Sequence, residues 1–399
     1  MMGQSGAREV LLVAVEPGAA GVAQVNALLP DALAGRGPAL GIAPAGTEAH
    51  AVRARTIVTR APVDTDIAVV LGTSGSTGNA HGVMLDSAAL LASARSTHDR
   101  LGGPGSWLLA LPVTGIAGLQ VLIRSLLAQV DPVVLASVGG AAPFEPRAFA
   151  DAAWRLDPSL PGYTALVPAQ AALLLDDPDG LAALQGFDAV LLGGARTAPH
   201  LLARLEAAHI AVVTTYGMTE TCGGAFYDGI PLDGVTASLL DVDPTGLGRI
   251  VITGPTIARG YLADDEATAE AFVSGGHVTN DVGRLNGTRL TIEGRIDDIV
   301  QVGGTNVAVS AIEDLLATIV SEACVLATID EAWGQRLTAY IVPRGDDGQR
   351  GDDNESLAAL VLEHLGRAAV PRTWVRLGAI PYLPTGKPDR AALRDLAAT

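Results

Sequence analysis

The chain has 399 residues, a length that suggests two or three domains. Its 43 acidic side chains outnumber its 26 basic ones, and the net charge of −17 favours solubility and argues against a nucleic-acid partner. Hydrophobic residues make up 49% of the chain, which is enough for a large core and excludes global disorder. Cys222 and Cys324 stand far apart and no histidine pair has metal-ligand spacing, so neither a disulfide framework nor a zinc site is predicted.

The long uncharged stretch 102–123 resembles a membrane span by length alone. Its many glycines and prolines would break a lone helix in lipid, so we interpret the stretch as a buried strand, a turn and a helix. The N-terminal apolar run Val10–Val15 is too short for a secretory signal. We therefore expect no membrane span and a cytoplasmic location. The oligomeric state stays open, with a homodimer among the options.

Short apolar runs alternate with helical patterns through the first two thirds of the chain. Runs rich in Val and Leu, without polar alternation, are typical of parallel strands covered on both faces. In this part we predict strands at Glu9–Val15, Asp66–Leu71, Trp107–Leu111, Pro132–Leu135, Ala189–Leu192 and Ala211–Thr215, and helices at Ser87–Arg100, Ala117–Ala128, Ala169–Leu175 and Pro199–His209.

From Gly248 onward the runs are shorter and alternate with polar residues, which favours antiparallel strands. The predicted fold class is therefore α/β, with a large N-terminal domain (1–296) of parallel sheets and a distorted antiparallel subdomain, and a small α+β C-terminal domain (297–399). The Gly- and Asp-rich stretch Arg344–Ser356 has no apolar residue and is predicted to be a surface loop. The elements predicted in this part are strands Arg249–Thr253, Arg289–Glu293, Glu322–Ile329, Leu337–Pro343 and Thr373–Leu377, and helices Ser310–Thr318 and Leu357–Ala368.

The segment Thr73–Gly78 reads T-S-G-S-T-G and directly follows a predicted strand. Hydroxyl groups and glycines let the backbone approach an anion, so N–H and O–H groups can point at phosphate oxygens. A flexible linker is the alternative, but a linker is seldom placed between a buried strand and a helical pattern. The segment matches neither a Walker loop nor a nucleophile elbow.

A second polar cluster, Tyr216–Thr221, also follows a strand. A carboxylate such as Glu220 at the end of a parallel strand can hold Mg²⁺ while the cation bridges phosphates. The alternative is a helix cap at Thr219 or Thr221. A third cluster, Gly193-Gly194-Ala195, leaves room for a flat ring against the backbone. Three such loops at strand ends predict a nucleotide site.

These motifs, together with G-R-I-D-D at Gly294–Asp298 and P-T-G-K at Pro384–Lys387, occur in the order seen in one family. From Ile67 to the C-terminus the chain resembles the adenylate-forming superfamily of acyl-CoA synthetases, adenylation domains and luciferases. The resemblance implies two steps: a carboxylate, here aromatic, attacks the α-phosphate of ATP to give acyl-AMP and pyrophosphate, and the CoA thiol then displaces AMP. It also implies a mobile C-terminal domain and a requirement for Mg²⁺.

The resemblance assigns a role to each matching residue. Phosphates would be held by Thr73, Ser74, Gly75, Ser76, Thr77 and Gly78; the adenine would lie against Gly193, Gly194, Ala195, Tyr216 and Gly217; and the ribose would meet Asp281 and Arg295. Glu220 would bind Mg²⁺ beside Thr219, Lys387 would stabilise charge during adenylation, Asp297 would be the hinge, and Gly303 and Gly304 would flank the CoA tunnel.

The chain departs from the family pattern at three positions. His81 stands where relatives carry a lysine, Asn280 replaces the glycine of a T-G-D motif, and Gly115 replaces a histidine. A protonated His81 could still act as a phosphate clamp. Two alternatives therefore stay open: a ligase that delivers the acyl group to a carrier protein, and a degenerate acyl-adenylate binder.

Cys222 adjoins the predicted site, yet no histidine base stands near it in the sequence. We interpret it as a small buried thiol and not as a nucleophile. His98 lies within a helical pattern and is interpreted as a structural or surface histidine and not as a ligand.

Overall fold

The computed structural model describes residues 7–73, 80–296, 298–330, 334–344, 352–382 and 388–397. These residues form two compact units. The first comprises the chain up to residue 240 together with 250–279 and 285–291, and the second comprises 241–249, 280–284 and the chain from residue 292 onward. The domain boundary expected between residues 296 and 297 stays a prediction.

One sheet of the first unit is built from apolar strands near the N-terminus. Its strands are β2 (Val10–Val15), β3 (Ala39–Pro44), β5 (Ile67–Gly72), β6 (Gly82–Asp86) and β16 (Gly260–Tyr261), and two short strands, β1 (Ala7–Arg8) and β4 (Val63–Asp64), pair separately. The spatial order is β16-β6-β5-β3-β2. Strands β2, β3 and β5 run parallel, whereas β6 runs antiparallel to β5. Residues 67–71 are almost completely buried, as expected for a strand covered on both faces.

The second sheet of this unit has seven strands: β7 (Ser106–Leu109), β8 (Val133–Val134), β9 (Gly162–Leu166), β10 (Ala189–Leu192), β11 (Val212–Met218), β12 (Gly223–Tyr227) and β13 (Ile230–Pro231). Their spatial order is β13-β12-β11-β10-β9-β7-β8. Strands β7 to β11 are parallel, and β12 turns back antiparallel to β11.

Helices connect these parallel strands. They are α1 (Ala19–Leu33), α2 (Ala49–Val58), α3 (Ser87–Leu101), α4 (Ile116–Ala128), α5 (Pro146–Ala153), α6 (Pro168–Leu175), α7 (Pro178–Gln185) and α8 (Pro199–Ala207). The side chain of Asp86 caps α3 by accepting a hydrogen bond from Ala89 N at 2.7 Å. No helix among the described residues is long and apolar enough to cross a bilayer.

The remaining elements follow in the chain. They are β14 (Thr236–Leu240), β15 (Gly248–Thr253), α9 (Asp265–Ala271), β17 (Phe272–Val273), β18 (Gly276–Asn286) and β19 (Arg289–Arg295), and then β20 (Ile299–Val302), β21 (Thr305–Ala308), α10 (Val309–Leu316), β22 (Glu322–Asp330), β23 (Gly334–Val342), α11 (Asn354–Leu365), β24 (Thr373–Arg376) and α12 (Arg390–Ala397). In the second unit β20 and β21 form a hairpin, and β22, β23 and β24 form a sheet. Ile312, Leu316 and Val361 lie in the buried cluster between this sheet and its helices.

The predicted α/β class is confirmed, but two local predictions need correction. A strand, β6, separates the phosphate loop from α3, so the loop closes a hairpin instead of leading into a helix. The predicted surface loop ends early because Asp353 caps α11, accepting hydrogen bonds from Glu355 N at 3.1 Å and Ser356 N at 2.9 Å. Residues 345–351 of that loop lie outside the described residues.

Candidate active site

The base of the phosphate loop is a hydrogen-bonded pair. Thr73 N donates to His81 O at 2.9 Å, and His81 N donates to the Thr73 hydroxyl at 3.2 Å. These bonds close the hairpin at the ends of β5 and β6 and fix Thr73 directly after β5, while its role toward phosphate stays a prediction. The other five predicted phosphate ligands, Ser74, Gly75, Ser76, Thr77 and Gly78, lie outside the described residues.

Glu220 lies in a tight turn between β11 and β12. A single 3₁₀ turn, Thr219–Thr221, replaces the helix that a capping box would begin. The Thr221 hydroxyl accepts from Met218 N at 2.9 Å and donates to Gly223 O at 2.7 Å, which fixes the turn. Gly217 is required beside it, because a Cβ there would lie 2.0 Å from Gly223 O. The carboxylate is thus placed at the end of a parallel strand, as predicted.

The Glu220 carboxylate is held by Tyr261, which no motif in the sequence indicated. The Tyr261 hydroxyl donates to Oε1 of Glu220 at 3.0 Å. Burial and the neighbouring Glu220 raise the pKa of Tyr261, so its hydroxyl keeps the proton that it donates. Tyr261 follows Glu220 by 41 positions, and no sequence signal connects the two.

His81 stacks on the ring of Tyr261. The two rings stack with centroids 4.4 Å apart and an interplanar angle of 25°. Nδ1 of His81 lies 3.1 Å from Oδ2 of Asp264, and Oδ1 of the same aspartate caps α9 by accepting from Ala267 N at 3.1 Å. The imidazole that was expected to face phosphate therefore already has a carboxylate partner.

One carboxylate with hydroxyl neighbours suits a cation that is shared with a substrate. Among the described residues, no cluster of three His, Cys, Asp or Glu side chains could hold a metal ion alone. The bond from Tyr261 uses Oε1 of Glu220 and leaves Oε2 for a ligand. Mg²⁺ is commonly bound in this way, through one or two carboxylates with phosphate and water completing its shell. The residues fit a magnesium ion that arrives with a nucleotide.

The predicted adenine loop lies at the ends of β10 and β11. Gly193 packs so closely against β11 that a Cβ would lie 2.2 Å from the Thr215 hydroxyl oxygen. Gly194 has φ +79°, a conformation that favours glycine, and Ala195 is exposed. The half-buried ring of Tyr216 lies 6.4 Å from Phe226 by ring centroids. Gly193 thus follows β10, as the sequence predicted. Tyr216 lies inside β11, because pairing with β12 continues that strand to Met218 and past the predicted end at Thr215.

The two predicted ribose residues form an ion pair in the second unit. Nη1 of Arg295 lies 3.2 Å from Oδ1 of Asp281, and the aspartate side chain is buried. Asp281 comes from β18 and Arg295 ends β19. The structure therefore brings together two residues that are 14 positions apart.

Gly303 and Gly304 form the exposed tip of the β20–β21 hairpin, with φ of +57° and +81°. Two consecutive positive φ values are typical of a type I′ hairpin turn and explain the paired glycines. Asp297 and Lys387, the predicted hinge and catalytic lysine, lie outside the described residues. The base of the lysine loop is described: Asp389 N donates to Pro381 O at 2.8 Å.

Cys222 is fully buried behind the Glu220 turn. Burial first, and then the charges of Asp86 and Glu220, raise the pKa of its thiol, which disfavours the reactive thiolate. Gly115 precedes α4 as its N-terminal cap, and a Cβ there would meet only Pro112 O at 3.6 Å. There is therefore open space at Gly115, where relatives carry a histidine side chain.

Comparison with known proteins identifies relatives along most of the chain. The profile of AMP-binding enzymes matches residues 5–262, and that of the AMP-binding enzyme C-terminal domain matches 312–387. A probable 2-succinylbenzoate–CoA ligase from Mycobacterium tuberculosis is 43% identical over 337 residues, 83% of this chain and 85% of that protein.

Solved structures share the fold. The amide bond synthetase McbA from Marinactinospora thermotolerans has a TM-score of 0.78 at 23% identity and is aligned over 99% of this chain and 90% of its own. The o-succinylbenzoate CoA synthetase MenE from Bacillus subtilis, solved with the acyl-adenylate OSB-AMP, has a TM-score of 0.69 at 23% identity, over 93% of this chain and 80% of its own.

Proposed function

Because the chain belongs to the family of AMP-binding enzymes, we propose that it is an acid–thiol ligase that joins 2-succinylbenzoate to CoA through an acyl-AMP intermediate. The observation that carries this proposal is the 43% identity to a probable 2-succinylbenzoate–CoA ligase over 83% of the chain. Two segments, Thr97–Trp107 and Tyr216–Val235, also resemble the 2-succinylbenzoate–CoA ligases of menaquinone biosynthesis.

The proposed first step is adenylation. An oxygen of the acid's carboxylate forms a bond to the α-phosphorus of ATP, and the bond to pyrophosphate breaks. Thr73 and the rest of its loop would hold the phosphates, and Glu220 would hold Mg²⁺, whose positive charge would offset that of the phosphate oxygens. Lys387 offsets negative charge on the attacking carboxylate and the α-phosphate.

In the second step the sulfur of CoA bonds to the acyl carbon, and AMP leaves with the electron pair of the broken C–O bond. Gly303 and Gly304 come from a hairpin tip without side chains, which suits the narrow pantetheine arm of CoA. Rotation about Asp297 would bring the two sets of groups to the site in turn. We expect the enzyme to act in the cytoplasm, and a homodimer is one assembly to be tested.

The test is pyrophosphate release by the purified protein with ATP, Mg²⁺ and a panel of aromatic acids, with and without CoA. We expect release with 2-succinylbenzoate and thioester formation when CoA is added. Release without thioester would favour delivery to a carrier protein instead. Tight ATP binding with no release from any acid would favour a degenerate binder.

A further inference from the structure

The lysine loop (383–387) is anchored to the second unit at both of its ends. Tyr382 and Pro388, the residues that flank it, form an antiparallel bridge. Outside this bridge, Ile380 and Leu393 are buried in one apolar cluster of the second unit. The chain therefore enters and leaves the loop at fixed points, and a side chain close to these points can influence where Lys387 is placed.

Arg390 is such a side chain. It begins α12, three positions after Lys387. Its Nη1 lies 3.6 Å from Oδ1 of Asp298, and its Nη2 lies 3.8 Å from Oε1 of Glu313. Asp298 directly follows the proposed hinge residue Asp297, and Glu313 belongs to α10. One guanidinium therefore joins the end of the lysine loop to the segment after the hinge and to a helix of the second unit.

The two carboxylate partners of Arg390 are themselves held in place. Val309 N, at the start of α10, donates to the backbone oxygen of Asp298 at 2.9 Å. Oε1 of Glu313 accepts from Val325 N at 2.8 Å, which ties α10 to β22. The guanidinium thus contacts two fixed points and can act as a brace between them and the lysine loop.

The charges of the three side chains depend on one another. The side chains of Asp298 and Glu313 are only 18% and 23% exposed. Burial raises the pKa of Glu313 to about 7, the positive charge of Arg390 opposes this rise, and the negative charge of Asp298 adds to it. Without the guanidinium the two carboxylates would repel each other, and the segment after the hinge would be pushed away from α10.

A second ion pair of the same unit shows that exposure alone does not distinguish Arg390. Nη1 of Arg376 also lies 3.6 Å from a carboxylate oxygen, that of Asp352, and the two arginine side chains are 40% and 39% exposed. Arg376 joins the end of β24 to the residues before α11, and neither segment has a role in the proposed reaction. Exposed ion pairs contribute only about 0–1 kcal/mol to stability, so the importance of Arg390 must come from the segments that it joins.

We propose that Arg390 is a positioning residue for adenylation, which holds the lysine loop in a fixed relation to the hinge segment so that Lys387 reaches the α-phosphate and the attacking carboxylate. This inference rests on the proposed function and on the role proposed there for Lys387. A misplacement of about 1 Å can cost roughly 100-fold in rate. The CoA step does not use Lys387 and therefore should not depend on Arg390.

The first test measures the two half-reactions in Arg390→Met. Pyrophosphate release is followed with ATP, Mg²⁺ and 2-succinylbenzoate, and thioester formation is followed with supplied acyl-AMP and CoA. We expect kcat for pyrophosphate release to fall by roughly 10- to 100-fold, while the KM for MgATP and the rate of thioester formation stay within about 3-fold of the wild type. Arg390→Lys keeps the charge with a shorter reach and should recover part of the lost rate.

Arg376→Met is the matched control, since it removes an ion pair of the same length and exposure from the same unit. Both half-reactions should stay near the wild-type rates in this variant. Thermal unfolding of both methionine variants should show folded proteins, because each loses one exposed ion pair. If Arg390→Met does not fold, Arg390→Lys decides the same comparison through a smaller loss that is confined to adenylation.

The second test reports the place of Lys387 without turnover. Lys387 is the only lysine in the chain, so N-acetoxysuccinimide can acetylate its amine and the N-terminal amine, which peptide mass spectrometry separates. The α,β-methylene analogue of ATP, with Mg²⁺ and 2-succinylbenzoate, assembles the site but cannot release pyrophosphate. An ammonium bonded to phosphate reacts slowly, so we expect these ligands to slow acetylation roughly 10-fold in the wild type and in Arg376→Met, and much less in Arg390→Met.

The outcomes separate this inference from the proposed function. If the wild type releases no pyrophosphate with 2-succinylbenzoate, the proposed function fails, and the inference fails with it. If the wild type is active and Arg390→Met loses the same factor in both half-reactions, or loses nothing, only the inference is overturned. Slow adenylation with full protection of Lys387 would also overturn it, because the lysine would then be correctly placed. Loss confined to adenylation, with weakened protection and with Arg376→Met unaffected, supports it.

Discussion

His81 stacks on Tyr261 with ring centroids 4.4 Å apart. The hydroxyl of that tyrosine bonds Glu220, and the imidazole lies beside Asp264. One aromatic ring thus links the base of the phosphate loop to the carboxylate that we propose for Mg²⁺. This arrangement suggests that His81 acts on the site by positioning Tyr261.

Tyr261→Phe tests the link to the carboxylate. The ring and its stack on His81 stay, but Glu220 loses the hydrogen bond that orients it. A hydrogen bond to a charged group is worth about 1.5–3 kcal/mol, so we expect the Kd for MgATP to rise by roughly 10-fold or more. Calorimetric titration with MgATP measures this without turnover. Tyr163→Phe, which removes a hydroxyl bonded to Leu101 O at 3.0 Å, is the control. Equal affinity in Tyr261→Phe and the wild type would contradict the positioning role.

His81→Phe and His81→Ala separate positioning from phosphate clamping. Phenylalanine can still stack on Tyr261, whereas alanine cannot. An aromatic pair contributes about 0.5–1.5 kcal/mol, so we expect His81→Ala to raise the KM for MgATP by roughly 2- to 10-fold and His81→Phe to stay near the wild type. A clamp that depends on the imidazole charge predicts the same loss in both variants.

The strands that carry the site could be predicted because they are uniform apolar runs. The predicted β10 has the same limits in the structure, and the start of β22 is also the same. The tight turn at Glu220 could not be predicted, because Thr and Glu are compatible with a helix cap and only pairing with β12 decides the outcome.

Contacts between distant parts of the chain escaped prediction for a different reason. His81 and Asp264 are 183 positions apart, and nothing in either segment indicates that β16 pairs with β6. The burial of Arg124 was equally hidden, since arginine is mostly exposed in proteins. The α11 start could have been found, because Asp353 before Asn354–Leu365 is a regular N-cap signal.

Glu313 gives the second unit a pH-dependent stability. Its Oε1 accepts from Val325 N at 2.8 Å, and burial raises its pKa to about 7 from an ordinary 4.5. Because the folded-state pKa is the higher one, its contribution to stability is complete below about pH 4.5 and is lost as the pH rises through about 7.

Glu313→Gln keeps the acceptor and cannot titrate. Relative to the wild type, the variant should therefore gain stability between about pH 4.5 and about pH 8, by up to about 3 kcal/mol in the free energy of unfolding. Thermal unfolding at a series of pH values measures the difference. A difference that does not change with pH would show that Glu313 has the same pKa in both states.

Cys222→Ala tests whether the thiol beside the site takes part in the chemistry. The side chain is fully buried, and burial raises its pKa, so we expect no acyl group on Cys222 and activity within about 3-fold of the wild type. Alkylation of the native protein followed by peptide mass spectrometry should leave Cys222 unmodified. An acylated Cys222 peptide isolated during turnover would overturn this interpretation.

Lys387→Ala and Gly304→Trp should divide the reaction into its two halves. If Lys387 stabilises charge only during adenylation, its removal should abolish pyrophosphate release but still allow supplied acyl-AMP and CoA to give thioester. At φ +81° a side chain at Gly304 is strained, but a Cβ there would meet nothing within 4 Å, so we expect a tryptophan to weaken only its hairpin and to leave adenylation intact while it obstructs CoA. Gly287→Trp is the control, since Gly287 also has positive φ, +60°, and open space around it. Equal loss of both half-reactions in Lys387→Ala would mean that the lysine is structural, and unimpaired thioester formation in Gly304→Trp would remove this hairpin from the CoA path.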